Sequence, residues 1–323
     1  MRAWIKTESA PPELKSLSEQ DWEAVEGDAW VDVAFSTVNY KDALAVTGKA
    51  PIVRRHPMVL GLDFSGTLRA DAGPLKAGTP VVGNGWGMSE THWGGWSERT
   101  KVPVDWLTPI PSAFTPRQAM VIGTAGYTAS LCVLALKEAG IRPSDGDVVV
   151  TGATGGVGSV AIHLLSKQGY RVLAVTGRKA HREWLESLGA AELLDRSELE
   201  GKVRPLGKER WIGGVDVVGS TVLANLISMT KYGGVIAATG LAGGMDLPAS
   251  VAPFILRGVR LLGVDSVMCP AERRERAWAQ LAEHLDVATL EALETEVAFD
   301  QIPQACQYLL AGQVRGRIVV PIP

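Results

Sequence analysis

The chain has 323 residues, of which 46% are hydrophobic and 21% charged, a composition and length that allow two lobes with separate cores. Its formal net charge of −3 at pH 7 gives no reason to expect a nucleic-acid or membrane partner. No apolar leader follows Met1, and no uncharged apolar run approaches the roughly 20 residues that would span a bilayer.

The first hundred residues are rich in strand and turn signals. Residues 30–35 (WVDVAF) are interpreted as a half-buried strand with a period of two. Glycine is dense between residues 61 and 95, and this density predicts many tight turns between strands. We therefore predict a small β-rich barrel as the first domain, residues 1–118.

From residue 119 onward, strand-like and helical segments alternate. The apolar run 119–136 predicts a buried helix, and further helices are predicted at 157–167 and 179–188. Strands are predicted at 147–151, 171–175, 192–194, 215–218, 235–238 and 261–264. This α/β alternation predicts a doubly wound parallel sheet with helices on both faces, in a domain of residues 119–262. The segment 263–323 is predicted to hold one amphipathic helix, near 271–285, and a closing strand at 317–320.

A glycine-rich turn, Thr151-Gly-Ala-Thr-Gly-Gly-Val-Gly158, joins the first of these strands to the following helix. Gly152, Gly155 and Gly158 recur at three-residue intervals. Such a turn allows a dinucleotide pyrophosphate to approach the backbone, with the N–H groups of the helix start facing the phosphates. We predict a nucleotide site here; the alternative is a purely structural turn.

The second strand of this domain selects the cofactor. An Asp or Glu near its end would bind the ribose 2′-hydroxyl of NAD, whereas an arginine accommodates the 2′-phosphate of NADP. This strand ends in Thr176-Gly177-Arg178-Lys179, without a carboxylate. Arg178 can form a two-pronged contact with phosphate, so the sequence favours NADPH. The alternative is that these cations are solvated charges at a helix start.

Several motifs together resemble the medium-chain dehydrogenase/reductase superfamily. They are residues 78–83 (GTPVVG), 94–98 (GGWSE) and 123–129 (GTAGYTA), followed by the nucleotide turn. Residues 38–42 (VNYKD) resemble the quinone oxidoreductase branch. Residues 39–49 and 61–66 (GLDFSG) resemble its YhdH-type group, which includes acrylyl-CoA reductases. One departure is Thr79-Pro80, where the family usually has Gly-Asp before the valine.

The resemblance implies a GroES-like catalytic domain, an inserted Rossmann-type domain, and a chain end that returns to the first domain. It also implies cofactor contacts, some from outside the glycine turn. The expected cofactor-binding residues are Tyr40, Gly152, Thr154, Gly155, Gly156, Val157, Gly158, Thr176, Gly177, Arg178, Arg196, Leu241, Ile255, Ser266 and Gln313.

We predict no bound metal. A tetrahedral zinc site takes four N or S ligands, usually in closely spaced pairs, but Cys132, Cys269 and Cys306 lie far apart. Leu62 stands where the zinc branch carries its catalytic histidine, and His56 and His92 are isolated. The unpaired cysteines also fit a reducing, cytoplasmic environment.

Without a Lewis acid, an alkene conjugated to a carbonyl is an easier substrate than an alcohol or ketone, because hydride adds to the β-carbon and the charge moves to the carbonyl oxygen. Together with Arg178, the resemblance to the YhdH-type group implies an NADPH-dependent acrylyl-CoA reductase. Its first catalytic candidate is Tyr40, which acts either as a hydrogen-bond or proton donor or as a residue that packs against the cofactor. Asn39 and Asp42 are candidates for orienting the local loop. A role of Asp42 as general acid is less favoured.

Three other interpretations remain open. The chain could reduce quinones or enones on the same scaffold, or bind NADPH as a sensor without turnover. Residues 54–56 (Arg-Arg-His) could attract the anionic end of a CoA thioester or form a solvated loop. A homodimer is expected because such folds usually form one.

Overall fold

The structure is a computed structural model that describes residues 1–323. The strands are β1 (Arg2–Lys6), β2 (Glu13–Ser16), β3 (Ala29–Thr37), β4 (Met58–Val59), β5 (Asp63–Leu68), β6 (Pro80–Asn84), β7 (Arg99–Val102), β8 (Leu107–Pro109), β9 (Val148–Val150), β10 (Val172–Thr176), β11 (Ala190–Asp195), β12 (Trp211–Asp216), β13 (Thr230–Ala238), β14 (Arg260–Gly263), β15 (Glu294–Glu296) and β16 (Arg317–Pro321). The helices are α1 (Tyr40–Thr47), α2 (Pro116–Glu138), α3 (Gly156–Lys167), α4 (Arg182–Ser187), α5 (Ser197–Glu200), α6 (Ser220–Ser228), α7 (Ala252–Arg257), α8 (Ala271–His284), α9 (Val287–Leu293) and α10 (Ile302–Leu310).

The chain divides into two compact units. Unit 1 comprises residues 1–124, 267–275 and 290–323, and unit 2 comprises residues 125–266 and 276–289. The chain therefore leaves unit 1 twice, within α2 and within α8, and its last segment belongs again to unit 1.

Unit 1 is built on a seven-stranded sheet in the order β15-β16-β3-β5-β6-β8, with β7 also paired to β3. Except for the parallel pair β15–β16, all of these strands pair antiparallel. Large side chains such as Phe64 and Trp96 are fully buried in its core. A smaller sheet, β2-β1-β4, completes the unit, and α1 packs against α10. The predicted β-rich first domain is confirmed.

Unit 2 contains a six-stranded sheet in the order β11-β10-β9-β12-β13-β14, and every neighbouring pair is parallel. In chain order this is 3-2-1-4-5-6, the order of a Rossmann sheet. The side chains of Val148–Val150 are all fully buried, as expected of a central strand covered on both faces. The predicted doubly wound sheet is confirmed.

Three local predictions need correction. The helix expected at 179–188 is a 3-10 turn at Lys179–His181 followed by the shorter α4. The C-terminal segment holds three helices, α8, α9 and α10, and not one. Helix α1 was not predicted, because its sequence lies among strand and turn signals.

Helix α2 is long and apolar enough to cross a membrane by length and composition, contrary to the expectation that no run approaches that length. However, 94% of its most apolar window is buried inside the protein. We therefore regard α2 as a core helix.

Candidate active site

The glycine turn after β9 has the backbone geometry that a nucleotide-binding turn requires. Gly152 has a φ of +57°, and a Cβ there would lie 2.3 Å from Val217 Cγ2. A Cβ at Gly158 would lie 2.4 Å from the Gly152 carbonyl oxygen, so α3 can pack closely on the turn only with glycine at this position. Both glycines are therefore needed for the conformation of the turn.

The start of α3 fits a phosphate group. Gly155 is the N-cap residue, and no side chain caps the helix. The first turn, from Gly156 through Val157 to Gly158, therefore has backbone N–H groups without intrahelical acceptors. These groups and the positive end of the helix dipole favour an anion at this place. Thr154 lies buried within the same turn.

A buried carboxylate fastens this turn to the neighbouring strand. Asp216, the last residue of β12, accepts hydrogen bonds from the Thr151 hydroxyl at 2.7 Å and from the Gly219 backbone N–H at 2.7 Å. Burial raises the pKa of Asp216. Sequence analysis did not single out this residue, although a carboxylate at the end of an apolar strand was a usable signal.

The end of β10 carries the residues that were predicted to distinguish NADPH from NADH. Thr176 is buried, and its hydroxyl oxygen accepts a hydrogen bond from the Arg178 backbone N–H at 3.0 Å. Burial lowers the pKa of the half-buried Arg178 guanidinium. Lys179 forms an ion pair with Asp195 at 2.6 Å.

Arg196 lies beside this strand end. A Cβ at Gly177 would be 3.6 Å from the Arg196 guanidinium carbon, and Arg196 forms an ion pair with Glu200 at 2.7 Å. The guanidinium of Arg196 is therefore close to the β10 turn, but part of its charge is balanced by a carboxylate.

Most of the remaining predicted cofactor contacts in unit 2 come directly after the carboxyl end of a strand of the parallel sheet. Arg196, Leu241 and Ser266 come within three residues of the ends of β11, β13 and β14. Because the strands are parallel, these ends lie on one edge of the sheet together with the glycine turn. Ile255 instead lies on α7 and is exposed. Gln313 is an exposed residue of unit 1 that follows α10.

In unit 1, the three catalytic candidates lie at the start of α1. Asn39 is the N-cap residue, and its backbone N–H donates to Asp42 Oδ2 at 2.9 Å. Asp42 Oδ1 accepts from the Leu62 backbone N–H, also at 2.9 Å. The Tyr40 side chain is 42% exposed, whereas Asp42 is only 2% exposed. Tyr40 is thus the candidate that can reach a ligand directly.

A buried polar network connects this helix start to four other elements, β3, β5, β16 and α2. The Asn39 amide donates from Nδ2 to Asp63 Oδ2 at 2.9 Å and accepts at Oδ1 from Arg317 Nη1 at 3.1 Å. Arg317 also donates to Thr37 Oγ1 at 2.8 Å and to the Val121 carbonyl oxygen at 3.0 Å. We call residues Thr37, Asn39, Asp63, Thr124 and Arg317 the buried network.

The kink in α2 belongs to the same arrangement. Gly123 has a φ of +49°, and a Cβ there would lie 2.4 Å from Arg317 Nη2. The next residue, Thr124, donates its backbone N–H to Asp63 Oδ2 at 2.7 Å, and its hydroxyl donates to the other carboxylate oxygen. Sequence analysis missed Asp63 and Arg317, although each is a charged residue at the edge of an apolar strand.

Asp42 holds its proton more strongly here than a carboxyl group in water does. Burial, and then the negative charge of Asp63, raise the pKa of Asp42 to about 7. The two backbone N–H donors act in the opposite direction but do not outweigh burial. Arg317 is fully enclosed, and burial lowers the pKa of its guanidinium while Asp63 and Asp42 raise it.

The residues present do not fit a zinc ion. No group of three or more His, Cys, Asp or Glu side chains could hold a metal. The three cysteines are buried and unpaired, and burial raises the pKa of the Cys132 and Cys306 thiols. Leu62 is buried and His56 exposed, while both ring nitrogens of His92 lie within hydrogen-bonding distance of backbone carbonyl oxygens.

The basic segment at residues 54–56 forms an ion pair within the protein through one of its two arginines. Arg54 forms an ion pair with Glu90 at 3.0 Å, and Lys41 contacts the same carboxylate. Arg55 is exposed. One acidic side chain thus faces two cations beside α1, and a net positive charge remains there.

Two family models match the chain. The alcohol dehydrogenase GroES-like domain matches residues 25–112, and the zinc-binding dehydrogenase domain matches residues 156–283. The first match lies in unit 1, and the second covers most of the parallel sheet.

Individual proteins match over almost the full length. The probable acrylyl-CoA reductase AcuI of Escherichia coli is 50% identical over 92% of this chain and 92% of that protein. The yhdH oxidoreductase of Salmonella enterica, solved in complex with NADP, is 48% identical with a TM-score of 0.96 and full coverage of both chains. The putative quinone oxidoreductase YhfP of Bacillus subtilis is 41% identical over 96% of this chain and 94% of that protein, and its structure with NAD bound has a TM-score of 0.93.

Proposed function

The chain belongs to the medium-chain dehydrogenase/reductase family, in the group that contains AcuI and YhdH, and from this premise we propose that it is an NADPH-dependent reductase that converts acrylyl-CoA to propionyl-CoA. The observation that carries the proposal is the combination of the glycine turn with Arg178 in a chain half identical to an acrylyl-CoA reductase. The substrate is a small molecule, and no nucleic acid takes part.

When bound, NADPH would supply the hydride for the β-carbon of the alkene. The π electrons move toward the thioester, negative charge develops on the carbonyl oxygen, and the α-carbon then takes up a proton. The protein has to align the reacting carbons and stabilise the oxygen with hydrogen-bond donors. Gly156, Val157 and Gly158 would hold the pyrophosphate through their backbone N–H groups, and Arg178 would bind the 2′-phosphate.

Tyr40 is the residue of α1 that contacts the ligands, and Asn39 and Asp42 act as positioning residues. The support is exposure: Tyr40 is the exposed member, while the other two side chains are buried and committed to hydrogen bonds. Tyr40→Phe separates the two roles of the phenol. A large loss of kcat indicates a proton or hydrogen-bond donor, whereas an unchanged kcat indicates cofactor packing.

The test of the proposed function is NADPH oxidation by the purified chain with acrylyl-CoA, measured beside crotonyl-CoA, a quinone and a simple enone. We expect the highest kcat/KM with acrylyl-CoA. The relation to YhfP supports one alternative, a quinone or enone oxidoreductase, and a clear preference for those substrates would replace the acyl-CoA assignment. NADPH binding without any turnover would indicate a sensor.

The reaction proceeds without zinc, as the donor set supports. Chelation with 1,10-phenanthroline should leave kcat unchanged, and metal analysis should give well under one zinc per chain. A stoichiometric zinc whose removal abolishes turnover would contradict this part of the proposal. The unpaired, buried cysteines also support a cytoplasmic location.

The working form is a homodimer joined through unit 2. Strand β14 is the last strand of the parallel sheet, and residues Val251, Ile255 and Leu256 on and beside α7 are exposed apolar side chains. Unpaired strand edges and apolar patches favour association. Light scattering should give twice the chain mass of 34.3 kDa, and Val251→Glu with Leu256→Glu should give the monomer. A wild-type monomer would contradict the dimer.

A further inference from the structure

Positive charge is concentrated between residues 41 and 56 of unit 1, although the formal net charge of the whole chain is −3. Four cationic side chains lie in this segment, and the only carboxylate among them, Asp42, is buried. Lys49, Arg54 and Arg55 are exposed, and Lys41 is half-buried. We call Lys41, Lys49, Arg54 and Arg55 the basic patch.

Glu90 holds two members of the basic patch in place. Its side chain is only 16% exposed, and its carboxylate oxygens contact Lys41 and Arg54, the latter at 3.0 Å. The Arg54 backbone N–H also donates to the Glu90 carbonyl oxygen at 2.8 Å, and the preceding residues Ile52 and Val53 pack against the hydrophobic core of unit 1. The segment that carries the arginines is therefore fixed before a ligand binds, which lowers the entropic cost of binding.

The rest of the positive charge is not balanced within the chain. The side chain of Arg54 stays 69% exposed despite its ion pair, and Lys49 and Arg55 form no ion pair. A cation at Lys49 also suits the end of α1, because the helix dipole favours positive charge there. No contact within the chain accounts for Arg55. The basic patch therefore presents unbalanced positive charge to solvent, which favours an anionic ligand.

The basic patch begins beside Tyr40, the residue proposed to contact the ligands. Lys41 is the next residue, and Lys49 follows the C-cap residue Gly48 at the opposite end of α1. The eight residues of α1 extend over about 12 Å, at a rise of about 1.5 Å per residue. An acyl-CoA has a corresponding arrangement, with the reactive thioester at one end of its pantetheine arm and the phosphate groups at the other. A substrate whose thioester lies at Tyr40 can therefore place its phosphates on the basic patch.

We propose that the basic patch binds the phosphate groups of the CoA portion of the substrate, with Lys49 and Arg55 as the main contacts and Arg54 as a third. This inference rests on the proposed function and extends it from the reacting end of the substrate to the nucleotide end. The phosphates do not change during the reaction, so their contacts are equally strong in the ground state and the transition state. The basic patch therefore lowers KM and leaves kcat unaffected.

The test compares the acrylyl thioester of CoA with that of pantetheine, which has no phosphate group. In Lys49→Glu/Arg55→Glu the KM for acrylyl-CoA should rise about 10-fold or more at low salt, because attraction of the phosphates becomes repulsion. The kcat for acrylyl-CoA and the KM for acrylyl-pantetheine should each change by less than about twofold. Both replaced side chains are exposed and outside any ion pair, so the melting temperature should stay close to that of the wild type.

The matched control is Lys202→Glu/Arg204→Glu, which makes the same change of charge in unit 2. These two side chains are also exposed and form no ion pair. They lie in the loop before β12, at the amino ends of the parallel strands, whereas the glycine turn lies at the carboxyl ends. We expect the control to keep the wild-type KM for both thioesters. An equal rise in the control and in K49E/R55E would show that only the net charge matters, and it would overturn the proposal.

A binding measurement makes the test independent of turnover. With NADP⁺ at saturation, so that the cofactor site is blocked, calorimetry should show that the wild type binds free CoA more tightly than pantetheine. K49E/R55E should lose this difference, and Arg55→Gln alone should reduce it by a smaller factor. Added NaCl should weaken the binding of CoA to the wild type, because salt screens exposed charges. Equal affinity of the wild type for CoA and pantetheine would overturn the proposal.

The outcomes separate this proposal from the proposed function. If the wild type reduces neither thioester, the proposed function fails, and the binding of free CoA still decides the role of the basic patch. If the wild type reduces acrylyl-CoA and K49E/R55E does so with an unchanged KM, the function stands and the basic patch does not bind the phosphates. A KM that rises equally for both thioesters in K49E/R55E leads to the same conclusion.

Discussion

Removal of Arg317 should be among the most destabilising single changes in unit 1. Its guanidinium is buried and donates to Thr37, Asn39 and the Val121 carbonyl. In Arg317→Leu the Asp63 carboxylate remains buried without the positive charge that balances it. Breaking a buried charge pair in this way typically costs roughly 3–5 kcal/mol. The control Arg99→Leu removes a partly exposed guanidinium that pairs with Glu19 and Asp32 near the surface, and it should cost less than about 1 kcal/mol.

The measurement is urea unfolding at pH 7 followed by tryptophan fluorescence. Seven of the ten tryptophans lie in unit 1, namely Trp4, Trp22, Trp30, Trp86, Trp93, Trp96 and Trp106, so the signal reports mainly on that unit. In the double variant Asp63→Asn/Arg317→Leu both charges are absent, so its loss should be smaller than the sum of the single losses by about 1–3 kcal/mol. Additive losses, or an R317L variant no less stable than R99L, would refute the coupling.

Three further predictions concern the cofactor turn and Asp42. In initial-rate assays Arg178→Ala should raise the KM for NADPH about 10- to 100-fold, because one hydrogen bond to a charged group is lost. The KM for NADH should stay within about threefold of the wild-type value. Equal effects on both cofactors would exclude a contact with the 2′-phosphate. Gly158→Ala should lower the melting temperature and weaken NADPH binding, because the new methyl group would overlap the Gly152 carbonyl oxygen. In the control Gly201→Ala the new methyl group would meet no other atom within 4 Å, so neither property should change. The pKa of Asp42 is raised in the folded chain, so the folded state keeps a proton that the unfolded state releases between about pH 4 and pH 7. The unfolding free energy of the wild type should therefore fall relative to that of Asp42→Asn by up to about 1 kcal/mol per pH unit across this window, and a constant difference would contradict the raised pKa.

The parallel sheet was predictable because its signal is local. Each strand is a short apolar run, and a strand buried on both faces must be apolar along its whole length, as Val148–Val150 shows. The glycine turn was predictable for the same reason, since its shape depends on backbone conformations that only glycine adopts easily. Such features can be identified within a window of about ten residues.

The missed helices show where local signals fail. Helix α1 begins with Tyr40 and contains β-branched residues, and it is stabilised by the Asp42 cap and by packing against α10. Helix α10 did carry a usable signal, with Pro303 in its first turn and the buried residues Ile302, Ala305 and Cys306 at helical spacing. The prediction of only one helix in the C-terminal segment was therefore wrong, although the sequence carried a signal for α10.

The candidate site was predictable only in part, since its polar contacts join residues far apart in sequence. Asn39 and Arg317 are 278 positions apart, and nothing near either residue shows that they pair. The sequence identified Asn39, Tyr40 and Asp42 through a family resemblance, but not the division of labour among them. Burial makes that division: a side chain such as Asp42, enclosed and bonded to two backbone N–H groups, can hold the helix start but has little access to a ligand.

Unit 1 thus contains two kinds of buried polar group, and the contrast between them is informative. In the buried network every charge meets a partner, since Asn39 links Asp63 to Arg317 and Thr124 binds the remaining carboxylate oxygen. The amide of Asn84, which pairs with Asp63 across β5 and β6, is equally buried, but neither of its polar atoms has a partner. A fold that satisfies one set so fully can place an apolar side chain at the other, and such a change would increase stability. We therefore expect Asn84→Leu to raise the melting temperature, and a lower melting temperature would contradict this reasoning.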